Sequence, residues 1–274
     1  MGVINITPNS FSDANKNLNS ENLKSNLNEF LSFPNLAFDF GFESTAPMNS
    51  AISFSEEKKR FDHFFEQIKD VDLSGRWISF DTYKLENFLY FESQFQSRYK
   101  DCGYILNDVS GVIDDELLLF LKNKNKGENF YYVYCCTHIP SRGFVLNHTQ
   151  FIKEEDIIEG SFNNFKRAYE LFKDLGMKDK IIFDPCFGFS KSYEQNWDLI
   201  NRFDLLVLKL EEISITAPWV IGISKKSFLR KSLPLSIDPF ADSEILHAKI
   251  IKNFCEKQLG HLIFRVHDPK LVVF

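Results

Sequence analysis

A series of polar and charged side chains, Asn5, Asp39, Asp81, Asn107, His138, Asp184, Lys226, Arg265 and His267, each follow a short apolar run in this 274-residue chain. The stretch from Ile181 to Lys191 is typical: a β-branched and aromatic run, a carboxylate at Asp184, then Pro185 and a glycine-bearing loop. Such a run reads as a buried strand, and proline cannot continue a ladder. A carboxylate accepts two parallel hydrogen bonds, and an amide both donates and accepts. Asp81, Asn107 and Asp184 therefore suit a planar heterocycle with amino and ring N–H donors and a carbonyl. Lys226, Arg265 and His267 suit phosphate oxygens. Carboxylates and amides dominate the earlier runs and cations the last two, which implies a ligand with two chemically different ends.

The elements that must position these residues alternate strand with helix. Expected strands are Val3–Ile6, Leu36–Phe38 closed by Asp39, Trp77–Phe80, Tyr104–Leu106, Phe130–Cys136, Ile181–Phe183, Trp219–Ile223 and His261–Phe264. Between them lie helical patterns. Ser20 caps a helix with Leu23, Leu27 and Phe30 or Leu31 on one face, and Ser55 precedes one with Phe61, Phe64, Phe65 and Ile68 buried. Lys84–Phe95 turns Leu85, Phe88, Leu89 and Phe95 to the core, and Asp114 or Asp115 caps a helix through Leu121. Further helices span Glu154–Leu175, ended by Gly176, then Glu194–Phe203 and Asp242–Glu256. No Gly/Ser-rich linker divides the alternation, so residues 1–274 are expected to form one α/β domain, a (β/α)8 TIM barrel of the usual size of about 250 residues. A doubly wound sheet is the alternative, but no GxGxxG follows the first strand. In a barrel the C-terminal strand ends converge on one face, and loops after the last two strands commonly hold phosphate.

Composition narrows the function classes. The chain is 44% hydrophobic and 26% charged, which suits a packed globular core. A net charge of −6 argues against nucleic-acid binding, so an anionic ligand needs a local cluster of cations. The five cysteines form no CxxC pair and fit a reduced compartment. No basic leader or bilayer-length apolar run is present, so a cytoplasmic protein without a membrane partner is expected. The 30 phenylalanines reflect a compositional bias, so a single Phe carries little weight.

Seven motifs in order resemble those of the dihydropteroate synthases. They are Met1–Asp13, Asp39–Thr45, Ser79–Lys84, Ile105–Gly111, Asp184–Lys191, Gly222–Phe228 and Arg265–Asp268. The resemblance spans nearly the whole chain. It implies condensation of 6-hydroxymethyl-7,8-dihydropterin diphosphate with 4-aminobenzoate, giving 7,8-dihydropteroate and diphosphate for folate synthesis. Asp81, Asn107 and Asp184 would hold the pterin ring, with Lys226 donating to its carbonyl and ring nitrogen. Asn5, Arg265 and His267 would bind diphosphate, Asn5 beside Mg²⁺. Phe189, the Lys226 stem, Ser227 and Thr45 would line the aminobenzoate site, with Phe11 and Asp13 from the first loop. A homodimer is the family's usual assembly.

The chain departs from the family pattern at Ala46, where an arginine is usual, at Asn9 for aspartate, Cys186 for glycine and Lys225 for arginine. Arg142, after the fifth strand, is the candidate replacement for the arginine missing at Ala46. Against the family, both the N-terminal lead and the eighth helix look truncated. A catalytically weak or silent pterin-binding homologue and a methyltetrahydrofolate-type methyltransferase barrel are the alternatives.

Overall fold

The computed structural model describes residues 1–7, 20–45, 49–124, 129–147 and 156–272. Strands β1 (Gly2–Asn5), β2 (Phe38–Gly41), β3 (Trp77–Asp81), β4 (Gly103–Asp108), β5 (Phe130–Cys135), β6 (Ile181–Asp184), β7 (Trp219–Ile221) and β8 (Leu262–Phe264) pair in parallel in chain order. The ring closes where Val3 N–H donates to the Val266 carbonyl at 2.8 Å and Val266 N–H to the Met1 carbonyl at 2.9 Å. This is the expected (β/α)8 barrel.

The two-residue period of a strand decides which side chains reach the lumen. On β6, Ile181 and Phe183 join the large outer core beneath the helices, whereas Ile182 joins a small inner cluster with Val133, Cys135 and Val220. Continuing that alternation turns Asp184 inward at the barrel mouth. The same rule moves Asp39 from its expected place beyond β2 into the strand itself, fully buried between the outward Phe38 and Phe40.

Helices α1 (Ser20–Leu31), α2 (Phe54–Gln67), α3 (Leu85–Arg98), α4 (Asp115–Asn123) and α5 (Ile157–Asp174) follow the first five strands. Ser53, Asp114 and Asp156 accept from first-turn backbone N–H groups, so α2 and α5 begin at neighbouring caps and not at Ser55 or Glu154. Leu89 is 49% exposed, and Phe91 takes the core position expected of it, stacking on Phe61 at 4.4 Å. Much of the phenylalanine excess thus fills the outer layer around β2, β3, α2 and α3, where each buried ring contributes about 2–3 kcal/mol.

The β6–β7 connection carries two helices, α6 (Tyr193–Asn201) and α7 (Phe203–Glu212), where the pattern indicates one ending at Phe203. Arg202 breaks them with φ −111° and ψ 19°, and Phe203, Leu206 and Leu210 carry on the buried stripe of Leu199 and Ile200. A short α8 (Ser227–Lys231) precedes α9 (Pro239–Glu256), and the described chain after β8 ends in a 3-10 turn, Pro269–Val272.

Candidate active site

The strand ends open into a cavity of about 470 Å³ lined by Asn5, Asp81, Asn107, Asp184, Arg265 and His267, among others. On the β4–β6 wall, Asp184 Oδ1 accepts from Cys186 N–H at 2.7 Å, and Oδ2 lies 3.9 Å from Cys135 Sγ. Burial raises the Asp184 carboxyl, with the Cys186 N–H pulling it back down. Among the described residues no cation pairs with it directly, which leaves this carboxylate to a ligand donor. The loop that presents it runs through left-handed backbone at Cys186 (φ 56°), Gly188 (φ 81°) and Ser190 (φ 52°). The buried Lys191 holds that path, donating to the carbonyls of Cys136 at 2.8 Å and Cys186 at 3.3 Å. At Gly188 a Cβ would stand 3.2 Å from Lys226 Cδ, so a bare backbone leaves the lysine stem its place.

Across the mouth the charges neutralise one another. Arg265 Nε donates to Asp39 Oδ2 at 2.7 Å, and its Nη2 donates to Asp81 Oδ2 at 2.6 Å. Ser79 Oγ and Asn107 Nδ2 hold the other Asp39 oxygen at 2.5 Å and 3.4 Å. Burial pushes the Asp81 carboxyl up to about 6, against the pull of Arg265. Asp81 Oδ1 is buried with no hydrogen-bond partner among the described residues. Asp81 itself lines the cavity, so a donor on a ligand is one way to satisfy that oxygen.

At the β7–β8 rim, the half-buried Lys226 places its ammonium 4.3 Å from the Phe189 ring centroid, and burial lowers its pKa. Phe189, Ser227 and Thr45 also border the cavity. His267 Nδ1 and Ser224 Oγ share a hydrogen bond at 3.0 Å, and Lys225 N–H donates to Glu244 Oε1 at 3.0 Å. The second loop is fixed from outside: Lys84 Nζ binds Glu43 at 2.7 Å and Glu57 at 3.0 Å, and Ile52 N–H donates to Glu43 at 2.8 Å.

Two expected participants lie elsewhere. His138 turns away from the cavity, sharing hydrogen bonds with Cys136 Sγ at 3.0 Å and Asn164 at 3.1 Å, and burial depresses its pKa to about 3. Arg142 does not replace the absent loop arginine. Its guanidinium binds Asp108 at 2.8 Å, Asp114 at 2.8 Å and the carbonyls of Tyr83 and Val112, tying together the loops behind the mouth. Phe11, Asp13 and Ala46 fall outside the described residues. Sequence reasoning missed the Asp39–Arg265 pair and the cavity-lining Cys135, both of which the alternation along β2 and β5 would have placed in the lumen. The anchoring by Lys191 has no comparable signal.

Among the described residues no cluster of three or more His, Cys, Asp or Glu could hold a metal. The oxygen chemistry suits Mg²⁺ all the same, because that ion commonly takes one or two protein ligands and completes its shell with phosphate and water. Asn5 borders the cavity, and Gly41 leaves room for its Oδ1, which a Cβ there would meet at 3.0 Å.

A closed parallel barrel with acceptors and cations gathered at the C-terminal mouth defines an enzyme barrel for a polar small molecule. The chain belongs to the family described as pterin binding enzyme, whose model matches residues 1–267. It is 28% identical over 272 residues to the dihydropteroate synthase of Clostridium beijerinckii, covering 98% of this chain and 88% of that protein. The dihydropteroate synthase of Escherichia coli K12 is 26% identical, covering 100% and 87%. In fold, the chain resembles the Yersinia pestis dihydropteroate synthase solved with a sulfonamide drug, with a TM-score of 0.76 at 22% identity over 99% of this chain and 89% of that one.

Proposed function

We propose that the chain is a dihydropteroate synthase, a transferase that joins 6-hydroxymethyl-7,8-dihydropterin diphosphate to 4-aminobenzoate and releases diphosphate in folate synthesis. The observation that carries the reading is the set of acceptors in one cavity: among the described residues Asp184 has no cation bound to it and Asp81 Oδ1 no partner, and the Asn107 amide lines the same cavity. These match the ring N–H and amino donors and the carbonyl of a pterin.

In this reading Asp184 and Asp81 accept from the pterin ring while Asn107 and Lys226 donate to its oxygen and ring nitrogen. Departure of diphosphate leaves positive charge on the exocyclic methylene, which the two buried carboxylates stabilise. His267, Arg265 and Asn5 receive the diphosphate. Arg265 has one free amino group for that purpose, because only Nε and Nη2 bind carboxylates among the described residues. Mg²⁺, when bound at Asn5, supplies further charge neutralisation on the diphosphate. The aminobenzoate ring lies along Phe189 and the Lys226 stem with Ser227 and Thr45 at its edge, and the family resemblance assigns Phe11 and Asp13 of the first loop to the same subsite. Once the C–O bond to diphosphate has broken, the aminobenzoate amine forms the C–N bond to the exocyclic methylene and releases a proton, and positioning supplies most of the rate.

The same reading makes residues 1–274 one pterin-binding domain, cytoplasmic and homodimeric. Among the described residues no helix is long and apolar enough to cross a membrane, and the exposed Leu205 and Leu208 on α7 suit a subunit contact. Incubating the purified chain with pterin diphosphate, Mg²⁺ and 4-aminobenzoate tests the activity. Release of diphosphate with formation of dihydropteroate is expected. Pterin binding without diphosphate release would leave a silent pterin-binding homologue in its place.

A further inference from the structure

Two thiols meet at the floor of the cavity and neither takes part in the proposed reaction. Cys135 ends β5 with its Cα paired to that of Asp184 across the ladder. Cys186 lies two residues beyond Asp184, and its left-handed φ of 56° turns the chain back beside that pair. Both residues belong to the same small buried cluster inside the barrel, and both line the cavity. The neighbouring Cys136 points the other way, into the outer core, as strand alternation requires.

We propose that Cys135 and Cys186 form a dithiol modification site inside the cavity, closed to a disulfide by small oxidants of the peroxide class and reopened by dithiol reductants. The Cys186 sulfur attacks a peroxide oxygen, the O–O bond breaks, and the thiol's proton goes to the departing hydroxide, so a sulfenic acid and water form. The Cys135 thiol then attacks that sulfur: an S–S bond replaces the S–O bond and a second water leaves. One peroxide is reduced and two thiols are oxidised. The new bond draws the β6 loop toward β5 and displaces the Cys186 N–H from Asp184, so ligand binding is lost. This last consequence rests on the pterin reading, whereas the cross-link does not.

The test uses the full chain carrying Cys255→Ser, which removes the exposed thiol, treated with hydrogen peroxide. Expected are loss of the mass of two hydrogen atoms, a non-reduced peptide joining Cys135 to Cys186, and loss of pterin affinity that dithiothreitol restores. The cross-link should be absent from Cys186→Gly, whose backbone adopts the same φ without strain. Oxygenation of single sulfurs without a cross-link, or a cross-link through Cys136, overturns the proposal. A cross-linked protein that binds pterin as before overturns the claimed inhibition. Failure of the untreated protein to bind pterin counts against the functional reading alone, since the peptide map still decides the dithiol.

Discussion

Asp184 and Arg265 are both charged groups at the barrel mouth, but their surroundings use the charge in opposite ways. The β4–β6 wall holds Asp184 with a backbone N–H and leaves its charge for a ligand. The opposite wall binds Arg265 to Asp39 and Asp81, so most of its charge serves the protein. Order along the chain suggests acceptors at one end of a ligand and cations at the other. Closure of the barrel undoes that separation, because β8 lies beside β1 and within reach of β2 and β3. In the proposed reading one wall recognises the ligand, and the other holds the mouth together while offering a single donor group.

The largest effect expected from this contrast is on stability. Arg265→Met leaves the fully buried Asp39 and the mostly buried Asp81 without a counter-ion, and breaking a buried pair costs about 4 kcal/mol. Urea unfolding should show that loss. A change below about 1 kcal/mol would mean that the three charges are better solvated than their contacts indicate. Arg142→Met sharpens the comparison from outside the cavity. It strands Asp108, whose carboxyl burial already raises, at a cost of about 3 kcal/mol. Pterin affinity measured by calorimetry should nevertheless stay at the wild-type value, and a marked fall would return Arg142 to the site.

Asp184→Asn should invert the pattern. One acceptor becomes a donor facing the ligand's own donors, which lowers pterin affinity on the order of 100-fold. Stability should change little, because a desolvated carboxylate is replaced by a neutral amide that can still accept from Cys186 N–H. Unchanged affinity would remove Asp184 from the recognition wall.

Much of this arrangement is legible in the sequence, for a physical reason. Each strand ends where a buried apolar run meets a polar residue, and barrel geometry brings such ends together, so Asn5, Asp81, Asn107, Asp184, Lys226, Arg265 and His267 all reach one cavity. Where the reading falls short, the deciding contact is non-local. His138 and Arg142 also follow a strand, and only the positions of Asn164, Asp108 and Asp114 show that they face away. The pairing of Asp39 with Arg265 spans 226 residues and depends on closure of the ring. The extra helix α7 was hidden because its apolar stripe continues that of α6, and the break at Arg202 carries neither glycine nor proline.

Asp81 belongs to both walls, and pH should separate its two roles. Burial holds its carboxyl up at about 6 in the folded chain, above the ordinary value of 3.8. The folded state therefore binds this proton more tightly than the unfolded state does. Its contribution to stability is full below pH 4 and is lost as pH rises through about 6. Ligand binding runs the other way: ring N–H donors need the ionised acceptor, so pterin affinity should climb across the same interval and level off above it. Asp81→Asn should flatten both curves while Asp184→Asn leaves the stability step in place. Calorimetric affinity and denaturant midpoints between pH 5 and 8, compared in wild type and Asp81→Asn, measure the two slopes. An affinity step that persists in Asp81→Asn would assign the titration to another group and leave Asp81 with its structural partnership to Arg265 alone.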